Sequence, residues 1–290
     1  MNIANLRKRY HQQICESIIR INRQKDKKRG NPNFADSGNK SSVEIAWNIV
    51  KQIGCPIIYE TVKEQTVGKN FEDITKNFLE NAFVLLSHIR PGKWHYATGK
   101  TAISGFEQYE HLADLEVKVR NDETLASVLG IDYIVKPDII VARYSVSDEE
   151  INKNTDILQD SEHLAELTPL RSHNRKAGMD NMILHASVSC KWTIRSDRSQ
   201  NTRTEALNLL RNRKGHTPHI VAVTAEPLPT RIATLALGTG DIDCVYHFAL
   251  PELISSIEQV DNQDQLDMLM TMIDGRRLRD ISDLPFDLAI

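Results

Sequence analysis

A strand-like run that passes directly into a helix-like segment constrains the fold of this chain more than any other feature. The run Leu184–Trp192 has the character of a β-strand, and the charged segment that follows it as far as Arg213 has the character of a helix. Two further apolar runs, Ile131–Val141 and Ile220–Ala225, are separated from it by helix-like segments. Strands and helices that alternate in this way build a sheet covered by helices. The sequence therefore predicts an α/β fold with a central mixed β-sheet flanked by helices.

The length of the chain allows one large domain or two small ones. Its 290 residues are 40% hydrophobic and 26% charged, which is ordinary for a globular protein with a real core. No repeat or low-complexity segment divides it, so residues 1–290 are predicted to form a single domain with an N-terminal helical region. In that region apolar residues recur through Ile3–Ile21 at helical spacing. Lys25–Lys40 is predicted to be a loop, and Ser41 with Glu44 predicts the start of the next helix.

Charge is distributed unevenly along the chain, whose net charge is only −3. Lys191–Gly215 has seven basic and two acidic residues, a net charge of +5, and Arg7–Arg29 has nine basic and two acidic residues, a net charge of +7. The segment Asp241–Ile290 has eleven acidic and three basic residues, a net charge of −8. A basic surface on a mildly acidic protein suits a local polyanion site, although solvated helix faces give the same pattern.

The cysteines indicate neither a zinc site nor an oxidising compartment. Their spacing fits no zinc-binding pattern, and the chain has no apolar run of membrane-spanning length. Its first twenty residues lack the uninterrupted apolar core of a secretory signal. A reduced, cytoplasmic protein with no membrane partner is therefore expected. The cysteines are Cys15, Cys55, Cys190 and Cys244.

Two charged residues lie within apolar, strand-like runs. An aspartate such as Asp138 is costly there unless it has partners or a cation, and Lys191 is either a strand-end lysine whose amine reaches water or a functional group. The preceding Pro137 predicts a strand at a sheet edge or with a bulge. Hydrolysis of a phosphodiester needs carboxylates that hold a metal and a cation near the attacked phosphate, and oxygen ligands favour magnesium.

The spacing around these residues matches a nuclease arrangement with one departure. That arrangement has Pro-Asp on one strand and Asp/Glu-X-Lys on the next, whereas this chain has a serine, Ser189, where the second acid is expected. Glu205 replaces that acid if the following helix folds back over the strand end. The alternative for Glu205, and for Glu72 in an earlier helix, is a first-turn carboxylate favoured by the helix dipole.

The stretch Arg195-Ser196-Asp197-Arg198 follows the strand-like run. Arginine binds guanine O6 and N7 with two hydrogen bonds, and aspartate accepts one from cytosine N4. Two arginines around an aspartate therefore suit adjacent G·C pairs in the major groove, and a symmetric dimer turns that reading into a palindrome. The alternative is a loop with surface ion pairs.

Seven stretches together carry a family resemblance that covers most of the chain. The chain resembles the type II restriction endonucleases of the NgoMIV group, which cut sites containing CCGG and belong to the PD-(D/E)XK nuclease superfamily. The resemblance implies a PD-(D/E)XK restriction-endonuclease-like core. The stretches are NFE (70–72), KPDIIV, HASVSCKWTIRSDRSQNTRTE, LNLLRNRKG, PHIVAVTAEP, ALGTGDIDCVYHFAL and DISDLPFDLA.

The resemblance also implies roles in catalysis. It makes Asp138 the metal-bridging carboxylate, Glu205 the displaced second acid and Glu72 an additional acid. Lys191 corresponds to the catalytic lysine, and Ser189 occupies the strand position that the second acid has left.

The same resemblance implies further ligands. Cys190 offers its backbone carbonyl to the metal, and two Mg²⁺ ions are expected in each active site. The inner CCGG is read by Arg195, Asp197 and Arg198. The outer base pair or the minor groove is contacted by Asp36, Gln65 and Arg231.

The function that follows is a magnesium-dependent type II restriction endonuclease for double-stranded DNA. The expected site is GCCGGC, cut after the first guanine to leave 5′ CCGG overhangs, by a homodimer or homotetramer. A DNA methyltransferase of the same system is the expected functional partner, without physical association. One alternative is a repair or recombination nuclease of the same fold without strict sequence reading. Another is a DNA-binding protein without catalysis.

Overall fold

A computed structural model describes residues 2–24, 27–60, 62–99, 101–129, 135–159, 164–171, 182–238 and 240–290. The chain begins with helix α1 (Ile3–Ser17), whose apolar face buries Leu6, Tyr10 and Ile14 at four-residue steps. The Asn2 side chain caps it by accepting from the Asn5 N–H at 2.9 Å. The predicted N-terminal helix is therefore confirmed as far as Ser17, whereas Ile21, the last residue of the predicted pattern, begins a strand.

An antiparallel hairpin follows, made of β1 (Ile21–Gln24) and β2 (Lys27–Pro32). The prediction of a loop throughout Lys25–Lys40 is therefore wrong over β2, and residues 25–26 lie outside the described part. Gly30 has φ +65°, and a Cβ there would lie 2.7 Å from the Asn22 carbonyl oxygen, so close pairing requires glycine. The glycine and the polar residues around it hid the strand from sequence reading.

Helix α2 (Lys40–Ile53) begins earlier than predicted. Its cap is Asn39, whose side chain accepts from the Ser42 N–H at 3.0 Å, so Ser41 is not the capping residue. Gly54 ends the helix in the left-handed conformation, and Cys55 follows it. A disulfide joins Cys55 to Cys15. The expectation that these two cysteines are reduced is therefore wrong, because the fold brings together residues 40 positions apart.

Helix α3 (Glu64–Leu85) buries one long apolar face, which includes Phe71, Ile74 and Phe78. The elements that come next are β3, two 3₁₀ turns, three helices and two strands. They are β3 (Trp94–Thr98), the turns Ile103–Gly105 and Glu107–Leu112, α4 (Ala113–Asn121), α5 (Glu123–Leu129), β4 (Ile139–Arg143), α6 (Asp148–Ile151) and β5 (Ile183–Lys191). Residues 131–134 of the predicted strand Ile131–Val141 lie outside the described part.

The remaining elements alternate helix and strand before a helical C-terminal part. They are α7 (Ser196–Asn212), β6 (His219–Thr224), α8 (Pro229–Ala236), β7 (Cys244–His247), α9 (Leu250–Val260), α10 (Gln263–Asp274), β8 (Leu278–Asp280) and α11 (Leu284–Asp287). Arg7 of α1 fastens this part to the N-terminus, because it pairs with Glu252 at 2.6 Å and with Asp280 at 2.9 Å.

Six strands of the described chain form one sheet in the order β3-β4-β5-β6-β7-β8. The β3–β4 pair is antiparallel, with Thr98 opposite Ile139, whereas β6, β7 and β8 run parallel. The predicted α/β fold with a mixed sheet and flanking helices is therefore confirmed. The predicted edge position of the strand after Pro137 is wrong, because β4 lies between β3 and β5. Pro137 precedes the first strand residue, so its missing N–H does not interrupt the ladder.

The residues pack into two compact units. The first comprises Met1–Arg90, Val188–Leu207 and His219–Ile290, and the second comprises Pro91–Ser187 and Asn208–Pro218. The assignment of residues 1–290 to a single domain stays a prediction. Throughout the described ranges, every helix is too short or too polar to cross a membrane.

Candidate active site

The end of β5 carries the lysine that the sequence singles out. Side chains alternate between the two faces of a strand, so Ser189 and Lys191 lie on one face, where both are half-buried, and Cys190 lies buried on the other. The next residue, Trp192, is buried at 6% exposure. The Lys191 amine therefore stands on a strand end whose position is fixed by a large buried ring.

Trp192 is the centre of an aromatic cluster in the first unit. Its ring centroid lies 5.1 Å from that of Phe71, 5.6 Å from that of Phe34 and 5.8 Å from that of Phe248. Tilted and edge-to-face pairs at these separations add to the stabilisation from buried area.

This aromatic cluster fixes three candidate segments relative to one another. Lys191 directly precedes Trp192, Glu72 directly follows Phe71, and Asp36 lies two residues after Phe34. The strand end, the middle of α3 and the β2–α2 loop are therefore held around one set of rings.

Glu72 and Glu205 lie in the interiors of their helices. α3 begins at Glu64 and α7 at Ser196, so each acid comes more than two turns after its helix start. The explanation that either is a first-turn carboxylate stabilised by the helix dipole is therefore wrong, since that effect fades after the first turn. Both side chains are half-buried.

Asp138 belongs to the second unit and directly precedes β4. Its side chain is half-buried, and its backbone carbonyl accepts from the Gly99 N–H at 3.0 Å. This contact continues the β3–β4 ladder by one step beyond the pairing of Thr98 with Ile139. The backbone of Asp138 is thus held by strand pairing, while its carboxylate lies at the start of the strand.

Two of the residues expected to contact the outer base pair meet directly. Arg231, in the first turn of α8, donates to the Asp36 carboxylate, and the Gly38 N–H donates to the same carboxylate at 2.9 Å. The Gly38 N–H and then Arg231 lower the pKa of Asp36, and the nearby charge of Arg195 acts in the same direction. A β2–α2 loop residue and an α8 residue, distant in sequence, therefore form one polar surface.

Arg195 and Gln65 belong to the same neighbourhood. Arg195 is 61% exposed, and its guanidinium lies 3.5 Å from the carboxylate of Glu64, the first residue of α3. Gln65 follows Glu64 and is exposed in the first turn of α3. The polar character of Thr61–Lys69 predicts a loop, and that prediction is wrong from Glu64 onward. The structure thus brings together four of the six residues expected to contact DNA: Asp36, Gln65, Arg195 and Arg231.

The other two residues of this group fall in the first turn of α7. The helix begins at Ser196, inside the stretch that the sequence suggested would precede it. The side chains of Asp197 and Arg198 lie outside the described part of the structure. Their roles as base readers stay predictions.

Glu226 is a functional candidate that the sequence reasoning missed. It is completely buried, and its two carboxylate oxygens accept from the Ile194 N–H at 2.9 Å and the Leu228 N–H at 3.2 Å. Ile194 directly precedes Arg195, and Leu228 is the N-cap of the helix that carries Arg231. One buried carboxylate therefore joins the two segments that present these arginines.

Burial raises the pKa of Glu226 to about 7, although the hydrogen bonds from Ile194 and Leu228 oppose that change. An acid with a raised pKa in the folded state binds more protons than the unfolded chain between its ordinary and its raised pKa. Its contribution to stability is therefore greatest below about pH 4.5 and is lost as the pH rises to about 7.

We expect Glu226→Gln to remove this pH dependence. Between about pH 4.5 and pH 7, the free energy of unfolding should fall more steeply with pH in the wild type than in the variant. The difference in slope should reach up to about 1.4 kcal/mol per pH unit. Urea unfolding at several pH values measures the difference. Glu258→Gln, an exposed acid on α9, should keep the wild-type slope, and equal slopes for all three proteins would contradict the account.

Each unit offers oxygen ligands of the kind that magnesium prefers. In the first unit they are the carboxylates of Glu72 and Glu205 and the backbone carbonyl of Cys190, and in the second unit the carboxylate of Asp138. Across the described ranges, no group of three or more His, Cys, Asp and Glu side chains is arranged to hold a metal ion.

Comparisons with known proteins assign the chain to a family. Residues 10–290 match the family model described as NgoMIV restriction enzyme. The chain is 48% identical over 267 residues to the type II restriction enzyme NgoMIV of Neisseria gonorrhoeae. The aligned residues cover 90% of this chain and 91% of that protein.

Two solved structures are more distant. The type IIF restriction endonuclease Bse634I with cognate DNA has a TM-score of 0.36 at 14% identity, covering 87% of this chain and 92% of that one. The PspGI–substrate DNA complex has a TM-score of 0.25 at 13% identity, covering 87% and 95%. The assignment rests on the family model and on the sequence identity over nine-tenths of the chain, and by both the chain belongs to the NgoMIV family of type II restriction enzymes.

Proposed function

We propose that the protein is a magnesium-dependent endonuclease that cuts double-stranded DNA at GCCGGC, after the first guanine, and leaves 5′ CCGG overhangs. The observation that carries the proposal is the proximity of nuclease and base-reading residues within the first unit. Lys191 stands at the end of β5, and Arg195, four residues later, lies beside the first turn of α3 and the Asp36–Arg231 pair. Family membership supports a site-specific nuclease.

In the proposed active site, Asp138 and Glu205 would supply carboxylates, and Cys190 its backbone carbonyl, to hold two Mg²⁺ ions. Magnesium supplies positive charge at the attacked phosphate and activation of water. Lys191 contributes an ammonium near that phosphate, and Glu72 is the additional acid. Ser189 shares the strand face of Lys191 and leaves room for the acid that α7 provides.

In the proposed recognition surface, arginine and aspartate side chains read base edges. Arg195 and Arg198 each bind a guanine with two hydrogen bonds, and Asp197 accepts from cytosine. Asp36, Gln65 and Arg231 contact the outer base pair or the minor groove. Because Arg231 and Asp36 already pair in the free protein, both enter the complex pre-oriented.

Digestion of a plasmid that contains GCCGGC tests this function. With magnesium we expect discrete fragments, and without it none. Smearing or random nicks would instead favour a nuclease without strict sequence reading, and intact plasmid that is still bound would indicate a non-catalytic DNA-binding protein.

We further propose that the protein acts in the cytoplasm as a homodimer or homotetramer, beside a methyltransferase that modifies the same sequence. A tetramer holds two sites at once, so the second binding event is intramolecular. We expect a plasmid with two sites to be cut faster than a plasmid with one. Equal rates, together with a dimeric mass in solution, would contradict the tetramer.

A further inference from the structure

In the basic segment Arg7–Arg29, two arginines make structural contacts through their guanidinium groups, and a third borders a cavity. Arg7 pairs with two carboxylates, and Arg20 donates to the carbonyls of Glu16 and Ile19, each at 2.8 Å. Arg29, the last residue of the segment, lies exposed on β2. It borders a cavity to which the proposed active site and recognition surface assign no role.

This cavity has a volume of about 290 Å³ and is lined by β2, the loop after it and the N-terminal half of α2. The α2 residues that line it recur at three- and four-residue steps, so they form one helix face. The lining side chains and backbone that matter here are those of Arg29, Gly38, Lys40, Glu44 and Trp47.

The charges around the cavity favour an anion. The Arg29 guanidinium lies 4.2 Å from the centre of the Trp47 ring, and this stacking restrains the side chain. Trp47 is itself held, since its Nε1 donates to the Gly30 carbonyl at 3.2 Å. Lys40 pairs with Glu44 at 3.8 Å but remains 90% exposed.

The balance of these charges matches a phosphodiester. Arg29, Lys40 and Glu44 together carry a net charge of +1. The positive end of the α2 dipole adds to this charge, and no acidic residue in the first turn of α2 offsets it. A DNA backbone phosphate carries one negative charge and offers oxygen acceptors.

We propose that this cavity binds one phosphate of the DNA backbone beside the recognition sequence, with Arg29 and Lys40 as its ligands. The inference rests on the proposed function, because the loop that borders the cavity carries Asp36. The N–H of Gly38, which lines the cavity, holds the Asp36 carboxylate at 2.9 Å. A duplex whose outer base pair meets Asp36 carries its backbone past the same loop.

The first test measures binding of a GCCGGC duplex and of a scrambled duplex, without magnesium, over a series of salt concentrations. A plot of log K against log salt has a negative slope. Arg29→Ala should make this slope shallower by about 0.9 for each phosphate that the variant no longer binds, equally for both duplexes. The matched control is Arg23→Ala, on the neighbouring strand, whose guanidinium lies 5.0 Å from the centre of the Tyr59 ring and which does not line the cavity. Equal slopes for the two variants would overturn the inference.

The second test locates the phosphate with duplexes in which one flanking phosphate at a time is replaced by a neutral methylphosphonate. In the wild type, a methylphosphonate at one position should weaken binding. In Arg29→Ala, a methylphosphonate at the same position should not weaken binding further. The wild-type half of this test does not depend on the folding of a variant. If no position distinguishes the two proteins, the cavity does not hold a DNA phosphate.

A third arm uses inorganic phosphate alone, followed by calorimetry. If phosphate binds the wild type and not Arg29→Ala while the DNA salt slopes are unchanged, the site takes a free anion, and the assignment to DNA is wrong. Failure of the proposed function gives a different result, since a wild type that binds cognate and scrambled duplexes equally can still show a weaker salt dependence in Arg29→Ala.

Discussion

Glu205→Ala is expected to abolish most DNA cleavage while magnesium-free binding of the GCCGGC duplex stays close to that of the wild type. Loss of a group that merely supports a metal ligand costs roughly 10–100-fold in metal affinity or activity, so loss of a ligand itself should cost at least about a hundredfold. Base reading belongs to other residues, and binding without magnesium should therefore survive.

Moving the acid tests its role more sharply than removing it. Ser189 lies on the same face of β5 as Lys191, at the strand position where the nuclease motif has an acid. The double change Ser189→Glu with Glu205→Ser should therefore cut faster than Glu205→Ala at the same magnesium concentration. Recovery should be incomplete, because misplacement by about 1 Å at a catalytic site costs on the order of a hundredfold.

The control is Thr204→Ala, an exposed neighbour on α7 whose hydroxyl donates to the Gln200 carbonyl at 3.0 Å. It should cut at the wild-type rate. If Glu205→Ala also does so, Glu205 is a structural residue of the helix, and another acid completes the site, with Glu72 the first candidate.

Arg195→Ala and Arg198→Ala are each expected to collapse specific binding. A pair of hydrogen bonds to guanine contributes roughly 1–3 kcal/mol, and each substitution removes two such pairs from a symmetric dimer. Binding to the cognate duplex should therefore approach binding to a scrambled duplex. Competition between the two duplexes without magnesium measures the ratio, and cleavage of GCCGGC at the normal rate by either variant would show that the assignment is wrong.

Two controls separate base reading from general electrostatics. Arg211→Ala removes an exposed charge from the last turn of α7 and should leave the ratio of cognate to scrambled binding unchanged. Glu64→Ala removes the surface partner of Arg195 and keeps the guanidinium. Because an exposed ion pair contributes only about 0–1 kcal/mol, it should alter specific binding little.

The strand that carries Lys191 could be predicted almost to the residue. The apolar character of Leu184–Trp192 predicts a strand, and β5 occupies Ile183–Lys191. Local pattern sufficed there because a buried central strand has a strong hydrophobic signal. The start of α3 was missed because Lys63 makes no capping hydrogen bond through its side chain, and the polar residues around Gly68 resemble a loop.

The residues that organise the site depend on tertiary contacts, which the sequence does not display. In the sequence, Glu226 lies between an apolar strand and a proline, which is typical of a turn residue. Its role depends on the hydrogen bond from the Ile194 N–H, 32 positions away, which only the fold brings about. Trp192 likewise becomes the centre of the aromatic cluster because rings from α3 and from the β2–α2 loop pack against it. A carboxylate at the end of an apolar run, as at Asp138, was the one signal that could have marked Glu226.

The sequence of the cut ends reports both the recognition site and the position of cleavage. Genomic DNA with many candidate sites is digested with the protein and magnesium, and both strands of each new end are read. We expect every 5′ end to begin with CCGGC and the preceding base in the uncut DNA to be guanine. Glu205→Ala should yield few or no such ends. Ends that begin at unrelated sequences, or that vary in the four bases CCGG, would contradict it.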